Sequence, residues 1–498
     1  MNKYTFFLLC LLLAACAGGE ATDTATTNAA QPAAVQTANQ PQPKAAPSTD
    51  QLSTSESPDI KITIKGAQPG NVRLIGIYTD RQYLADSAKI DASGIIHIKR
   101  SEPFKSGLLY VAFDNGGAIQ LLMDKDQTFT MSTDINDLVG AMQVQGNIDN
   151  EVFYKSLKME GAQQGEISAL SQQMRGQPEN STQFLTAKKQ RDALIANRKA
   201  NLEVLFKEHP NSFFTAFKRA GQNPTVKDIR FADGTLDEVG RVYAYRTEFW
   251  DNVDFSDDRL LRTPVITNKL KRYIKELTPQ HPDSIISAAS FLVNKTLQYP
   301  TYFQYFANWI TIQYDPKETT LMDPQAVYVH MIQNYFTEER AFWSNPAEVQ
   351  SLQTRAYEMA ASLVGKKAPD VISTDQFGKT KSIYEMTAPY IIVYMYNPQC
   401  EHCQEQTPKL VKFYNEWKNK GVDVYAIAID TNDAEWKDYI KKTGMSFTNV
   451  HDPSNKSIYA KYYVDQTPEL YVLNKDRIII GKNLKVNQVE TIINRDKN

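Results

Sequence analysis

Two cysteines three positions apart, Cys400 and Cys403, enclose Glu401 and His402 directly after a strand-like run and the break Asn397-Pro398-Gln399. A thiol pair at this spacing suits disulfide exchange, because the second sulfur lies within bonding reach of the first and can resolve a mixed disulfide there. The residues from Glu401 to about Lys420 read as a helix, so Cys400 stands at a helix start. Unpaired backbone N–H groups and the positive end of the helix dipole favour a thiolate at such a position, and the thiolate is the attacking form. His402 adds partial or full positive charge in the same sense, while Glu401 acts against it.

A CxxC pair also suits zinc, but structural zinc takes four ligands. The chain offers no second CxxC, and its histidines are scattered, His451 being the one that could approach. The context of strand, CxxC and helix favours redox chemistry, with no metal and no cofactor.

The remaining cysteines are Cys10 and Cys16. Cys10 lies in the apolar run from Tyr4 to Ala15 behind Lys3. That run is too short to span a bilayer and fits a signal-peptide core. It ends in Leu13-Ala14-Ala15-Cys16, which is similar to a bacterial lipobox. Residues 1–15 are therefore expected to be a lipoprotein signal peptide and Cys16 the lipidated residue, leaving one cysteine pair in the mature chain. Residues 16–58 are Ala, Thr, Gln, Pro, Ser and Asn with almost no large apolar side chain. Such a stretch cannot offset its ordering entropy and reads as a disordered tether, with an r.m.s. span of roughly 35 Å. No later apolar run reaches the length of about 18 residues that a spanning helix needs. A net charge of −2 with no basic block gives no reason to expect nucleic acid as a partner.

Three kinds of pattern follow. Over 59–149, Ile60, Ile62 and Ile64 alternate with polar residues, as do Ile96 and Ile98 behind the turn Asp91-Ala92-Ser93-Gly94. Short strands separated by Pro69-Gly70 and Asn115-Gly116-Gly117 predict a small antiparallel β-sandwich. His97 reads as an ordinary strand histidine. Over 150–363 the period is helical, clearest from Leu185 to Phe206, with a break at His209-Pro210-Asn211-Ser212. Aromatic residues recur over Tyr302–Tyr314 and Val327–Phe336. They suit a binding groove or a helical core, and stripes of this kind usually face a core. Over 364–498 strands and helices alternate. Tyr390–Tyr396 is a continuous apolar run of β-branched and aromatic residues, the mark of a strand buried on both faces, and Val422–Ile429 is a second. The expected fold is multidomain: an α/β domain at the C-terminus, preceded by the β-sandwich and an α-helical domain.

At this point the C-terminal segment resembles the thioredoxin superfamily, and within it the membrane-tethered TlpA/ResA-like thiol-disulfide oxidoreductases. Lys366-Lys367-Ala368-Pro369-Asp370 is similar to the opening of that group. Pro408 matches the proline that bends the active-site helix, and Thr467-Pro468 matches the cis-proline loop. The resemblance implies a thioredoxin-like fold in which Thr467 and Pro468 shape a groove for an extended substrate. The order of domains also resembles multidomain lipoproteins of the Bacteroidetes. Two positions depart from the pattern. Tyr394 stands where thioredoxin carries an acid, and Gln406 stands where ResA-like proteins can carry one, leaving the neighbouring Glu405 as a candidate acid/base or a plain solvated charge. Gln399 replaces the usual Trp before the first cysteine. The peroxidases that share the fold use Pro-x-x-x-Thr-x-x-Cys, and the corresponding positions here are Val393 and Asn397.

These readings point to a thiol-disulfide oxidoreductase of the bacterial cell envelope, lipid-anchored and facing the periplasm, that reduces disulfide-containing client proteins with electrons from an extracytoplasmic thiol donor. The competing reading is a non-catalytic binding or scaffold lipoprotein with an accessory thioredoxin fold.

Overall fold

The computed structural model describes residues 56–497 apart from 115, 317, 318 and 320. The signal-peptide segment, Cys16 and nearly all of the expected tether lie outside the described residues. The described residues pack as two compact units, 56–277 and 278–497. The helical stretch 150–363 is thereby shared between them.

In the first unit, β1 (Asp59–Lys65), β2 (Gly70–Tyr78), β3 (Arg81–Ile90), β4 (Ile95–Lys99), β5 (Gly107–Phe113), β6 (Ala118–Met123), β7 (Thr128–Asp134) and β8 (Gln143–Gln145) form one sheet in the order β6-β5-β2-β3-β4-β1-β7-β8. The strands are continuously hydrogen-bonded, and the expected wholly antiparallel pairing is corrected to a mixed sheet. Its parallel step is β1 against β7, while β4 flanks β1 on the other side in antiparallel register. Alternation reports which face of a strand is buried but says nothing of its partner. The face itself was legible, since Ile60, Ile62, Ile64, Ile96 and Ile98 are all buried. His97 lies on the exposed face, its Nε2 2.7 Å from Asp59 Oδ1.

Five helices complete this unit: α1 (Ile148–Met174), α2 (Thr182–Glu208), α3 (Phe213–Ala220), α4 (Glu238–Glu248) and α5 (Pro264–Lys271). Asn147, Ser181 and Ser212 cap the first three through their side chains, each supplying an acceptor for an N–H that the helix leaves unpaired.

The second unit opens with α6 (Pro282–Lys295), α7 (Pro300–Gln313), α8 (Pro324–Tyr335) and α9 (Pro346–Ala360), every one beginning on proline, whose fixed φ and missing N–H suit a first helical position. Tyr302, Phe303, Phe306, Trp309, Tyr328 and Tyr335 are buried, so the aromatic stripes form a helical core rather than an open groove.

Next come the hairpin β9 (Ile372–Thr374) and β10 (Thr380–Ser382), then β11 (Tyr390–Tyr396), α10 (Glu401–Trp417), β12 (Val422–Ile429), α11 (Asp433–Thr443), β13 (Thr448–Asp452), α12 (Lys456–Tyr462), β14 (Glu469–Leu473), β15 (Ile479–Gly481) and α13 (Val489–Lys497). The five-stranded sheet runs β13-β12-β11-β14-β15, with β11, β12 and β13 parallel, β14 antiparallel to β11, and β15 antiparallel to β14. β11 is central and wholly buried. Its Ile392, Tyr394 and Tyr396 face one core together with Cys403 and Leu410, and its Ile391, Val393 and Met395 face the other. Two-sided burial explains the unbroken apolar run, and the strand delivers its C-terminal end to the loop that carries the cysteines. Among the described residues no helix is long and apolar enough to cross a membrane.

Candidate active site

The turn between β11 and α10 is held by Asn397. Its Oδ1 accepts from the Gln399 N–H at 2.7 Å, its Nδ2 donates to the Asp430 carbonyl at 3.0 Å, and its own carbonyl accepts from the Cys400 N–H at 3.1 Å. The turn fixes where the helix begins, and Cys400 is its N-cap residue, with φ −75° and ψ 123°. Asn397, at the position where the peroxidase pattern carries Thr, has no hydroxyl and is committed to the turn.

Both cysteines are free thiols, Cys400 half-buried and Cys403 fully buried. In the thiol form Cys400 Sγ donates to the Thr467 carbonyl at 3.1 Å. Burial works against the Cys400 thiolate. Hydrogen bonds from the Thr467 side chain, the Cys403 thiol and the backbone N–H groups of Cys403 and His402 outweigh it, and hold the thiol below its ordinary range. Cys403 moves the other way, pushed up to about 12 chiefly by burial. One sulfur is prepared to attack and its neighbour keeps its proton.

The sequence-predicted residues fall in different places. The Thr467-Pro468 peptide is cis, and Thr467 lies against Cys400. His402 has an exposed side chain, and what it brings to Cys400 is its backbone N–H. Glu405 is exposed and does not join the dithiol. Two residues along a helix is a turn of about 200° about its axis, which carries it to the solvent side from Cys403. Its Oε1 pairs with Lys409 Nζ at 2.6 Å, one turn on, and that pairing holds its carboxyl below the usual range. Gln406 accepts from the Val486 N–H at 3.3 Å. Among the described residues no three His, Cys, Asp or Glu side chains gather in a way that would hold a metal ion.

Behind Cys403 sit side chains that sequence reasoning did not assign. Tyr394 Oη lies 2.9 Å from Thr407 Oγ1. Tyr439 Oη lies 3.1 Å from the same oxygen and 3.3 Å from the Cys403 carbonyl. Thr407 carried a signal, since it stands one turn beyond Cys403 on the same helix face. Tyr439, on another helix, carried none.

A reduced dithiol at a helix start, set beside a cis-proline loop at the end of the central strand, defines a thioredoxin-like redox domain. Residues 364–488 match the AhpC/TSA family. The thiol-disulfide oxidoreductase ResA of Bacillus thuringiensis is 27% identical over 126 residues, covering 24% of this chain and 72% of that protein. Among solved structures, a domain of a possible thiol-disulfide isomerase from Cytophaga hutchinsonii is 34% identical, covering 27% of this chain and 93% of that one, with a TM-score of 0.26. A thioredoxin-like protein from Bacteroides caccae is 20% identical, covering 54% of this chain and 98% of that one, with a TM-score of 0.44. Over its C-terminal quarter the chain is similar to the thioredoxin-like AhpC/TSA family and to ResA thiol-disulfide oxidoreductases.

Proposed function

We propose that this chain is a membrane-tethered, extracytoplasmic thiol-disulfide oxidoreductase that reduces the disulfides of client proteins through Cys400 and Cys403. The observation that carries the reading is the asymmetry of the pair: Cys400 half-exposed and held toward thiolate, Cys403 buried and held protonated. The Cys400 thiolate attacks one sulfur of a client disulfide, and the other client sulfur leaves as a thiolate and takes a proton. Cys403 then loses its proton and attacks Cys400 Sγ, releasing the second client sulfur as a thiol. The client gains two electrons and the pair becomes a disulfide, which an extracytoplasmic thiol donor reduces again. Thr467 and Pro468, beside Cys400, form the wall against which an extended client segment lies. The lipobox-like Leu13-Ala14-Ala15-Cys16 supports a lipid anchor, and the polar residues behind it support a tether in the periplasm.

The test is a trap. Cys403→Ala, expressed in the native host, is expected to accumulate disulfide adducts to defined proteins through Cys400, and the adducts should vanish when Cys400 is replaced as well. If no adduct forms while Cys400 is reduced and accessible, the oxidoreductase reading is wrong and the function belongs to the other domains.

A further inference from the structure

The exchange scheme makes no use of the hydroxyls behind Cys403, yet they form a connected set. Tyr394 comes from β11, Thr407 from α10 and Tyr439 from α11, and all three are buried, Tyr394 and Thr407 completely. Tyr396 closes the set from the side, its ring stacked on Tyr394 at 5.4 Å and on Tyr439 at 5.6 Å. Each hydroxyl has one proton to give. Tyr439 lies within reach of both Thr407 Oγ1 and the Cys403 carbonyl, and the carbonyl can only accept. Tyr439 directs its proton toward Thr407 Oγ1 and the Cys403 carbonyl, and Thr407 shares a second hydrogen bond with Tyr394, so Thr407 joins the two phenols in one hydrogen-bonded chain. Hydrogen bonds in such a series polarise one another.

We propose that Thr407, at the middle of this chain, is a positioning residue for the second redox step. The chain holds the first turn of α10 so that the Cys403 thiol faces Cys400 Sγ, and it does so with neutral groups that take no proton from Cys403. This inference rests on the exchange reading above. The titratable groups facing Cys403 are Cys400 at the start of its own helix, Tyr394 and Tyr396 from β11, and Tyr439 from α11. Thr467, before β14, brings no charge. Burial pushes all three phenols up, so they stay protonated. The proton of Cys403 therefore goes to hydroxide from solvent. The thiolate then forms the Sγ–Sγ bond as the bond between Cys400 and the client sulfur breaks. The departing client thiolate takes a proton from water and returns the hydroxide. Burial holds the Cys403 thiol up, and while it stays mostly protonated its thiolate fraction rises about tenfold per pH unit.

The experiment uses the full chain carrying a mixed disulfide between Cys400 and 5-thio-2-nitrobenzoate, formed in mild acid and jumped to pH values between about 6 and 9. Release of the aromatic thiolate reports resolution. The wild-type rate should climb about tenfold per unit without a plateau. Thr407→Val keeps the shape and loses the hydroxyl, and it should be slower by about five- to tenfold at every pH, the value of one hydrogen bond. Thr407→Ser keeps the hydroxyl and loses the methyl, and it should stay near the wild type. A plateau below pH 9 would reveal a resident base and overturn the inference. So would the reverse order of the two variants, which marks packing alone. If the adduct never resolves through Cys403 in the wild type, the exchange reading itself fails; if it resolves with a plateau or with that reverse order, only the role of Thr407 is lost.

Discussion

The two sulfurs stand three residues apart and have opposite environments because a helix start and a helix interior differ. Cys400 meets the N–H groups of His402 and Cys403, which the helix leaves without carbonyl partners. Cys403 is one turn in, beneath Tyr394 and Leu410 in the core. The lowered Cys400 pKa means that, at any pH below the ordinary thiol range, a larger fraction of it is thiolate than of an ordinary cysteine, and a far smaller fraction of Cys403 is. Alkylation at about pH 6 should therefore modify Cys400 and leave Cys403 untouched, which mass spectrometry of the labelled peptides can check. Thr467→Val deletes a hydroxyl that favours the thiolate and keeps the side chain's shape. It should slow Cys400 alkylation a few-fold at that pH and move the midpoint upward. An unchanged rate would mean that Thr467 acts through its carbonyl alone. At this scale the dithiol and the cis-proline loop were legible because their chemistry lies in short motifs. The Thr407–Tyr439 contact joins residues 32 positions apart, and no spacing rule reports such a pair. Of the two readings of Glu405, the solvated helix-face charge holds, since the carboxylate is exposed and pairs with Lys409.

Elements carry a second device, on the opposite face of the central sheet from Cys403. Glu469 follows the cis-proline at the start of β14, fully buried, with its Oε2 accepting from Tyr471 Oη at 2.7 Å. Lys482, just past β15, is also fully buried. It donates to Gln325 and to the Ser362 carbonyl, and its Nζ lies 3.9 Å from Asp323 Oδ1. Desolvation pushes both carboxyls up and the ammonium down. One ammonium can balance one carboxylate, and Glu469, pushed up to about 7 by burial, is the group that keeps a proton. A carboxyl with a raised folded pKa contributes stability that is complete below its unfolded value near 4.5 and is lost as pH rises through about 7. Glu469→Gln mimics the protonated form at every pH. Urea unfolding should show the wild type losing on the order of 3 kcal/mol between about pH 4.5 and pH 8, and the variant losing much less. Equal slopes would place the buried charge elsewhere. None of this was readable in advance, because Glu469 and Lys482 look like surface residues on short strands. The two-sided burial of β11 was readable, because seven apolar residues in a row leave no polar face. For the sheet of the first unit only the buried faces were readable, since the parallel step of β1 against β7 depends on partners far apart in sequence.

At the scale of the molecule, the boundary suggested by pattern and the boundary made by contacts differ. Pattern places the start of the α/β domain at 364, where helical periodicity stops, yet the second unit begins at 278. The buried lysine explains why helices α6–α9 belong with the α/β fold. Its acceptors Gln325 and Ser362, and the carboxylate of Asp323, all lie upstream of 364. The chain crosses the boundary under the same control, with Asp323 Oδ2 accepting from the Val364 N–H at 2.8 Å. Farther along, Arg355 Nε donates to Tyr463 Oη at 2.8 Å and Ser362 Oγ to the Tyr462 carbonyl at 3.2 Å. A fragment cut at 364 would retain Lys482 and lose its partners, and removing the partners of a buried charge costs about 3–5 kcal/mol. The fragment 278–498 should thus unfold at a distinctly higher urea concentration than 364–498, with both retaining the reactive Cys400. Lys482→Met should recover part of the difference in the short fragment, because the apolar residue has no charge to leave unpaired. In the long fragment it should gain little, since the acceptors that satisfy the lysine would themselves be stranded. Matching midpoints for the two fragments would show that α6–α9 pack on the α/β domain without stabilising it. A difference erased by Lys482→Met would trace the cooperativity of the unit to this one buried charge.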